Sequence, residues 1–257
     1  MKVDLTDVTF LIPVRLDSVV RLENTIAVVS FLHKNFNTTI MVLEASPYDN
    51  GILKKMVNNK IKYDHYKDFD AVFHRTKYNN IMTEKVKTPI LGLWDADVIS
   101  DCKQIIESIN KLRIDEADIA FPYDGHFLDV SMIIRNLYLR KRSINLLHKY
   151  REWMDLKYGP DLKGGAVFSN LNKYIQAGME NEDFYGWGNE DYERHFRWKN
   201  LKYRIYRSEG PLYHLSHPRD INGQYRSAQQ QKTSVNLVQK TIASSAGEIL
   251  NGIDRNI

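Results

Sequence analysis

Apolar residues come in short blocks along the first 120 positions, with amphipathic stretches between them. Val8–Val14 (VTFLIPV) is a compact apolar run, the signature of a strand buried on both faces. Ser18 then opens a helical pattern, with Leu22, Ile26, Val29, Leu32 and Phe36 recurring at three- and four-residue spacing. Thr39–Ala45 is a second apolar run. Gly51–Asn59 reads as helix, Ile61–Tyr66 as extended, and Thr76–Lys87 as helix. Pro89–Trp94 (PILGLW) is a third buried-strand run and is followed by Asp95–Ala96–Asp97. Asp101–Leu112 returns to helix and Ile119–Pro122 to strand. This alternation predicts βαβ units around a mostly parallel sheet covered on both faces, an α/β class. Ligands of such sheets bind beyond the carboxyl ends of the strands, which directs attention to Pro13–Asp17, Glu44–Ser46 and Asp95–Asp97.

The second half is less regular. Leu128–Leu156 reads as one long amphipathic stretch carrying Arg135, Arg140, Lys141, Arg142, Lys149 and Arg151. It is either a solvated helix face or a surface for an anionic membrane or polyanionic acceptor. Gly164–Gly165 precedes a strand (AVFS) and a short helix ending at Gly178. Leu212–His217 is expected to be extended. The polar segment from Arg219 either frays or forms a helix over Ser234–Leu250 that packs back.

Composition narrows the classes. The single cysteine, Cys102, excludes an intramolecular disulfide framework and a Cys-rich zinc site. Apolar stretches reach only about eight residues, short of the roughly 20 that span a bilayer, and the first residues lack signal-peptide architecture. A soluble, cytoplasmic protein is expected. A net charge of +4 does not call for nucleic acid as a partner but suits anionic small molecules. Fifteen tyrosines and four tryptophans supply stacking surfaces for sugars or bases.

Three clusters carry candidate chemistry. Asp95 and Asp97 are two apart at the end of a strand, so both carboxylates can face one site. Such hard oxygen donors suit Mg²⁺ or Mn²⁺, which keeps positions open for phosphate oxygens. His214 and His217 would face opposite ways in an ideal strand but can converge on one ion in a turn. In Gly186–Trp187–Gly188–Asn189–Glu190–Asp191, Asn189 can cap a helix with both acids in its first turn. Alternatively, an acid there serves as general base beside an indole platform, on a loop that glycines allow to rearrange. Arg15, Arg75 and Lys77 add positive charge, with Arg15 able to pair with phosphate or stack on a base.

In this order the motifs resemble those of GT-A-fold glycosyltransferases, in the group of the β-1,4-galactosyltransferases, chondroitin polymerases and polypeptide N-acetylgalactosaminyltransferases. Gly164–Phe168, Gly178 and Phe184–Asp191 are similar to that group's G-G, G-F and W-G-G-E-D stretch, with Asn189 in place of a glycine. Leu212–Pro218 resembles its metal-binding segment, Asp95–Asp97 its D-x-D, and Pro13–Arg15 its first-strand nucleotide motif. The likeness covers roughly residues 8–220. It implies a single-domain GT-A sheet, with a nucleotide-binding half over 1–122, an acceptor-binding half over 123–220, and a partly helical extension over 221–257.

The resemblance also implies roles: Asp97, His217 and, less directly, His214 as ligands of Mn²⁺ or Mg²⁺, and Asp191 as catalytic base. Glu190, Trp187, Tyr185, Gly164 and Gly165 would bind substrate. Pro13, Val14, Arg15, Asp17, Arg75 and Asp95 would hold the nucleotide. The implied reaction is inverting transfer from a UDP-sugar, of galactose or N-acetylhexosamine type, to a glycan or lipid-linked oligosaccharide, in bacterial surface polysaccharide synthesis, with peripheral membrane contact. The alternatives are a carbohydrate-binding module without catalysis and a sugar-nucleotide pyrophosphorylase. The latter would want a glycine-rich loop where Arg15–Leu16–Asp17–Ser18 stands.

Overall fold

The computed structural model describes residues 1–57, 61–218 and 221–254. Strands β1 (Val3–Val14), β2 (Phe36–Ser46) and β4 (Ile90–Trp94) arise from the apolar runs, and β3 (Lys62–Lys67) from the polar segment expected to be extended. They alternate with helices α1 (Val19–Asn35), α2 (Ile52–Val57) and α3 (Arg75–Thr83). The last two positions of the helix expected over Gly51–Asn59 lie outside the described residues. Ser18 caps α1, its side chain accepting from the Arg21 amide at 3.2 Å. Asp101 and Gln104 form a capping box on α4 (Cys102–Arg113). The sheet continues with β6 (Ile119–Phe121), which follows the short β5 (Val98–Ile99).

The seven-stranded sheet has the order β10–β6–β9–β4–β1–β2–β3, with β9 spanning Ala166–Asn170 and β10 spanning Ile205–Arg207. Pairings β1–β2, β1–β4, β2–β3 and β6–β10 are parallel. Strand β9 runs antiparallel between β4 and β6. The chain builds β1, β2 and β3 outward in one direction and then crosses to the other side of β1 for β4. The switch point therefore lies between the carboxyl ends of β1 and β4, where a crevice forms. At the centre of the sheet, Gly92 pairs with both Phe10 and Phe168. A Cβ on Gly92 would meet the Phe168 ring at 2.7 Å. The missing side chain lets Phe10, Trp94 and Phe168 pack at centroid distances of 5.4–5.8 Å.

A second sheet has the order β5–β11–β7–β8, formed with β7 (Phe127–Val130), β8 (Asp155–Lys157) and β11 (Leu212–Leu215). The single amphipathic stretch expected over Leu128–Leu156 is instead divided into β7, α5 (Met132–Lys141), α6 (Ile144–Lys149), a 3-10 turn (Arg151–Trp153) and β8. Ser131 caps α5, and Arg142 ends it in the left-handed conformation with φ 49°. The chain then follows α7 (Leu171–Gln176), α8 (Glu190–Asn200), α9 (Ala228–Ala243) and α10 (Ala246–Asp254). Thus the polar tail is helical from Ala228, earlier than expected, and α9 packs along α8. Residues 219–220 and 255–257 of that tail lie outside the described residues. Among the described residues, no helix is long and apolar enough to cross a membrane.

Candidate active site

The crevice at the switch point is a cleft of about 440 Å³. The carboxyl end of β1 contributes Pro13, Val14, Arg15 and Asp17 to its walls. The segment after β4 contributes Asp95, Ala96 and Asp97, and the turn before β9 contributes Gly164 and Gly165. Trp187, Glu190, Asp191, His214 and His217 close the ring. Of the site residues that the resemblance implies, Tyr185 is the exception. It is absent from these walls, and its hydroxyl donates to Asp70 while its ring sits edge-on to His74.

Cross-strand register builds the acidic and imidazole group. In the small sheet, His214 of β11 lies opposite Val98 of β5 on one side and Asp129 of β7 on the other. The Leu215 amide donates to the Asp97 carbonyl at 2.8 Å, which fixes the residue before Val98 against the same strand. The strand ends at Leu215, so His217 is released from strand alternation and turns back. Its Nε2 lies 2.9 Å from Asp97 Oδ2, and His214 Nε2 lies 3.9 Å from Asp97 Oδ1. One ligand atom from each of the three residues falls within 4.8 Å of the others.

Each imidazole is anchored through its other nitrogen. His214 Nδ1 sits 2.6 Å from Asp129 Oδ1, and His217 Nδ1 donates to the Pro218 carbonyl at 2.8 Å. This arrangement leaves Nε2 as the ligating atom of both rings. Burial pushes the Asp97 carboxyl up, but the hydrogen bond from His217 and the charges of His214 and Arg21 overcome it and hold it well below the usual range. Asp129 is likewise held low against its burial, by His214 and Lys157. An ionised carboxylate with two oriented imidazoles is a donor set that fits a divalent cation such as Mn²⁺ or Mg²⁺, the former better matched to nitrogen ligands.

A second group surrounds Arg75, the first residue of α3. Its guanidinium reaches Asp95 at 2.8 Å, Glu190 at 2.9 Å and Asp191 at 2.6 Å. Asp191 receives a second guanidinium, with Arg194 Nη2 2.7 Å from its Oδ1. Burial raises the Asp191 carboxyl, but Arg75 and Arg194 outweigh it and the net shift is downward. Burial dominates at Glu190 and Asp95. Arg75 opposes it, neighbouring carboxylates add to it, and both are shifted upward. The glycine pair gains its reason here. A Cβ on Gly164 would strike Asp191 Oδ2 at 2.5 Å, so only glycine lets the carboxylate approach. Gly165 has φ 89° and accepts the Asp95 amide at 2.8 Å.

The Trp187 segment is shaped by its own backbone. Gly186 and Gly188 have φ 92° and 112°, and Asn189 is left-handed at φ 69°. Asn189 occupies the cap position of α8 but makes no side-chain cap bond, contrary to the sequence expectation. Asparagine tolerates this conformation better than most residues with a side chain. Glu190 Oε2 accepts from the Gly188 amide at 3.0 Å. From α9, Gln230 donates to the Tyr185 carbonyl at 2.9 Å and Ser234 to the Gly188 carbonyl at 2.8 Å. Tyr225 sets its ring against the Trp187 indole at 5.2 Å.

Arg15 and Lys77, two of the cations noted in the sequence, are placed differently. Arg15 lines the cleft, but its guanidinium is engaged with the Ala45 carbonyl, the Asp70 carbonyl and Asp68, at 2.7–3.1 Å. These bonds tie β1 to the loop after β3. Lys77 lies over the Tyr66 ring and off the cleft. Arg21, which sequence reasoning passed over, also lines the cleft. It bonds Asp17 at 3.0 Å and places Nη1 3.6 Å from Asp97 Oδ2. Its position in the first turn of the helix after β1, where anions are favoured, was the available signal.

The sheet order, the antiparallel β9 and the site at the β1/β4 crevice constitute a GT-A fold. Solved structures matching this chain include the catalytic domain of Drosophila β1,4-galactosyltransferase 7, in its complex with xylobiose. The two share 15% identity with a TM-score of 0.51, over 88% of this chain and 78% of that one. No family model and no curated protein matches the sequence.

Proposed function

We propose that the protein is an inverting, metal-dependent glycosyltransferase that moves a galactose- or N-acetylhexosamine-type sugar from a UDP-sugar to a hydroxyl of a glycan or lipid-linked oligosaccharide. Assembly of a bacterial surface polysaccharide is the setting that reading gives it. One observation carries the proposal. Asp191 and the Asp97–His214–His217 group, distant in sequence, line the same cleft and share its walls with the ends of β1 and β4. The matching galactosyltransferase fold supports the class.

Asp97, His214 and His217 hold the divalent cation, which when bound offsets the charge on the departing diphosphate. Arg21 adds a fixed positive charge beside them. Asp95 and Arg75 face the nucleotide. Asp191 takes the proton of the incoming hydroxyl as the new C–O bond forms. Proton acceptance at Oδ2 requires Arg75 to give up its bond there, and the anionic donor offers that guanidinium a replacement. One base poised for one hydroxyl fits a single displacement with inversion. Trp187, with Tyr225 behind it, presents an aromatic face to the apolar side of a sugar ring while Glu190 offers a carboxylate to its hydroxyls.

The test is UDP release from UDP-Gal, UDP-GalNAc, UDP-Glc and UDP-GlcNAc with and without Mn²⁺, followed by anomeric NMR of the transfer product. Metal-dependent release and an inverted product are expected. Sugar binding without release from any donor returns the protein to the binding-module reading, and a retained configuration removes the single-displacement mechanism. A finer expectation concerns Asp129, which orients His214. Asp129→Asn should weaken Mn²⁺ binding roughly 10–100-fold, the usual cost of losing a partner behind a metal ligand. Mn²⁺ titration followed by paramagnetic resonance measures it, and unchanged affinity would remove His214 from the ligand set.

A further inference from the structure

Helix α5 buries Ile134, Arg135 and Tyr138 and exposes Met132, Ile133, Asn136, Leu137, Arg140 and Lys141. The exposed positions follow i, i+1, i+4, i+5, i+8 and i+9, which is one face of a helix. Along roughly 13 Å of axis, that face runs from three apolar side chains to two cations, and Ile133 is 76% exposed. Its continuation has the same character. Helix α6 packs on α5 and the 3-10 turn follows it. There Lys149 and Arg151 are exposed, and Trp153 is 77% exposed. Between Ser131 and Tyr158 the chain carries seven basic residues against two acidic ones, Glu152 and Asp155. Exposed apolar side chains beside clustered cations are complementary to an anionic lipid surface, where aromatic and aliphatic groups enter the headgroup boundary and cations meet phosphate.

The same segment leads to the cleft. Strand β8 carries the exposed Leu156, and the next residues reach Tyr158, which lines the cleft and lies 6.5 Å from Trp187. Tyr158 is five positions after Trp153, so their backbones are at most about 18 Å apart.

We propose that the α5 face, with Lys149, Arg151 and Trp153, docks the protein on an anionic bilayer and brings the acceptor end of the cleft within a few sugar units of it. Resting on the transferase reading for the role of the cleft, the acceptor is then a glycan held at the membrane by a lipid.

Sedimentation of the full chain with vesicles tests the docking, using phosphatidylcholine alone and an equal mixture with phosphatidylglycerol. Binding to the anionic vesicles only, lost in high salt, is expected. Each cation near such a surface contributes roughly fivefold. The combined variant R140E/K141E/K149E/R151E should therefore bind several-hundredfold more weakly. Ile133→Ser with Trp153→Ser should weaken binding in low salt without altering the response to salt. All six positions are exposed, and thermal melts confirm that each variant is folded. Wild-type protein that stays in the supernatant, binds neutral vesicles equally well, or sediments without vesicles as a self-assembly overturns the proposal, as does undiminished binding by the charge-reversed variant. UDP release, read on the same samples without vesicles, separates the two readings. Lost docking with intact release sinks only the membrane surface. Docking with no release from any donor supports that surface and sinks the transferase.

Discussion

Asp191→Asn is expected to lower transfer to the acceptor by about 10²–10⁴-fold, the usual worth of a positioned general base, while donor binding persists. The amide keeps the size of the side chain, so Gly164 still accommodates it, but it cannot take a proton. Its neighbours set the pH behaviour. Arg75 and Arg194 hold the carboxyl below the usual aspartate range against the upward push of burial. The base is active when ionised, so the activity it supports is present above its folded pKa and lost as pH falls through it. The acid limb due to Asp191 should accordingly lie below that of an ordinary aspartate, with a plateau at neutral pH. Steady-state rates across pH for wild type and variant measure both points. A variant within threefold of wild type, at saturating donor and acceptor, would deprive Asp191 of its role as base.

Removing the other end of the chemistry should be comparably severe. Asp97→Asn takes away the charge that counters Arg21 and a metal, and His217→Ala removes the ligand atom 2.9 Å from it. Charge stabilisation by a bound cation is worth several kcal/mol. Loss of about 4 kcal/mol corresponds to about 10³-fold in rate. Either variant should lose that much metal-dependent UDP release, with partial recovery at high Mn²⁺ for His217→Ala, whose two remaining ligands persist. Chelation of wild type should produce the same loss, reversible on adding metal. Full activity of Asp97→Asn after chelation would show that the reaction runs without the ion. Because Asn24 donates to the Leu215 carbonyl at 2.7 Å and the Leu215 amide is held by Asp97, the backbone of this region keeps its bonds in both variants.

The half of the fold with long buried strands was legible from sequence because an apolar run states burial without needing a partner. The runs at Val8–Val14, Thr39–Ala45 and Pro89–Trp94 became β1, β2 and β4, and Ser18 and Asp101 marked the helix starts. The direction of β9 was not legible. Periodicity is blind to whether a strand runs parallel or antiparallel to its neighbour. Of the second sheet only β11 was foreseen, in the extended reading of Leu212–His217, because β5, β7 and β8 span only two to four residues each, too few for a period to show.

The residues of the cleft were legible as types at strand and helix ends, but their partners were not. His214 meets Asp129 across 85 positions, and Arg75 meets Asp191 across 116. Such pairings are products of register and topology, which no local window contains. Arg15 shows the same limit. A cation at the end of the first strand invites a phosphate, yet two backbone carbonyls and Asp68 already satisfy it.

The proposed base and the indole that faces the sugar stand four residues apart on different kinds of scaffold. Asp191 belongs to the first turn of a helix and is locked by two arginines, whereas Trp187 sits between glycines and is steadied by side chains from α9. The reactive carboxylate is therefore insulated from changes in the segment that meets the acceptor. A lineage could exchange that segment and the face of α9 behind it, and so acquire a new partner sugar, without rebuilding the machinery that makes the bond.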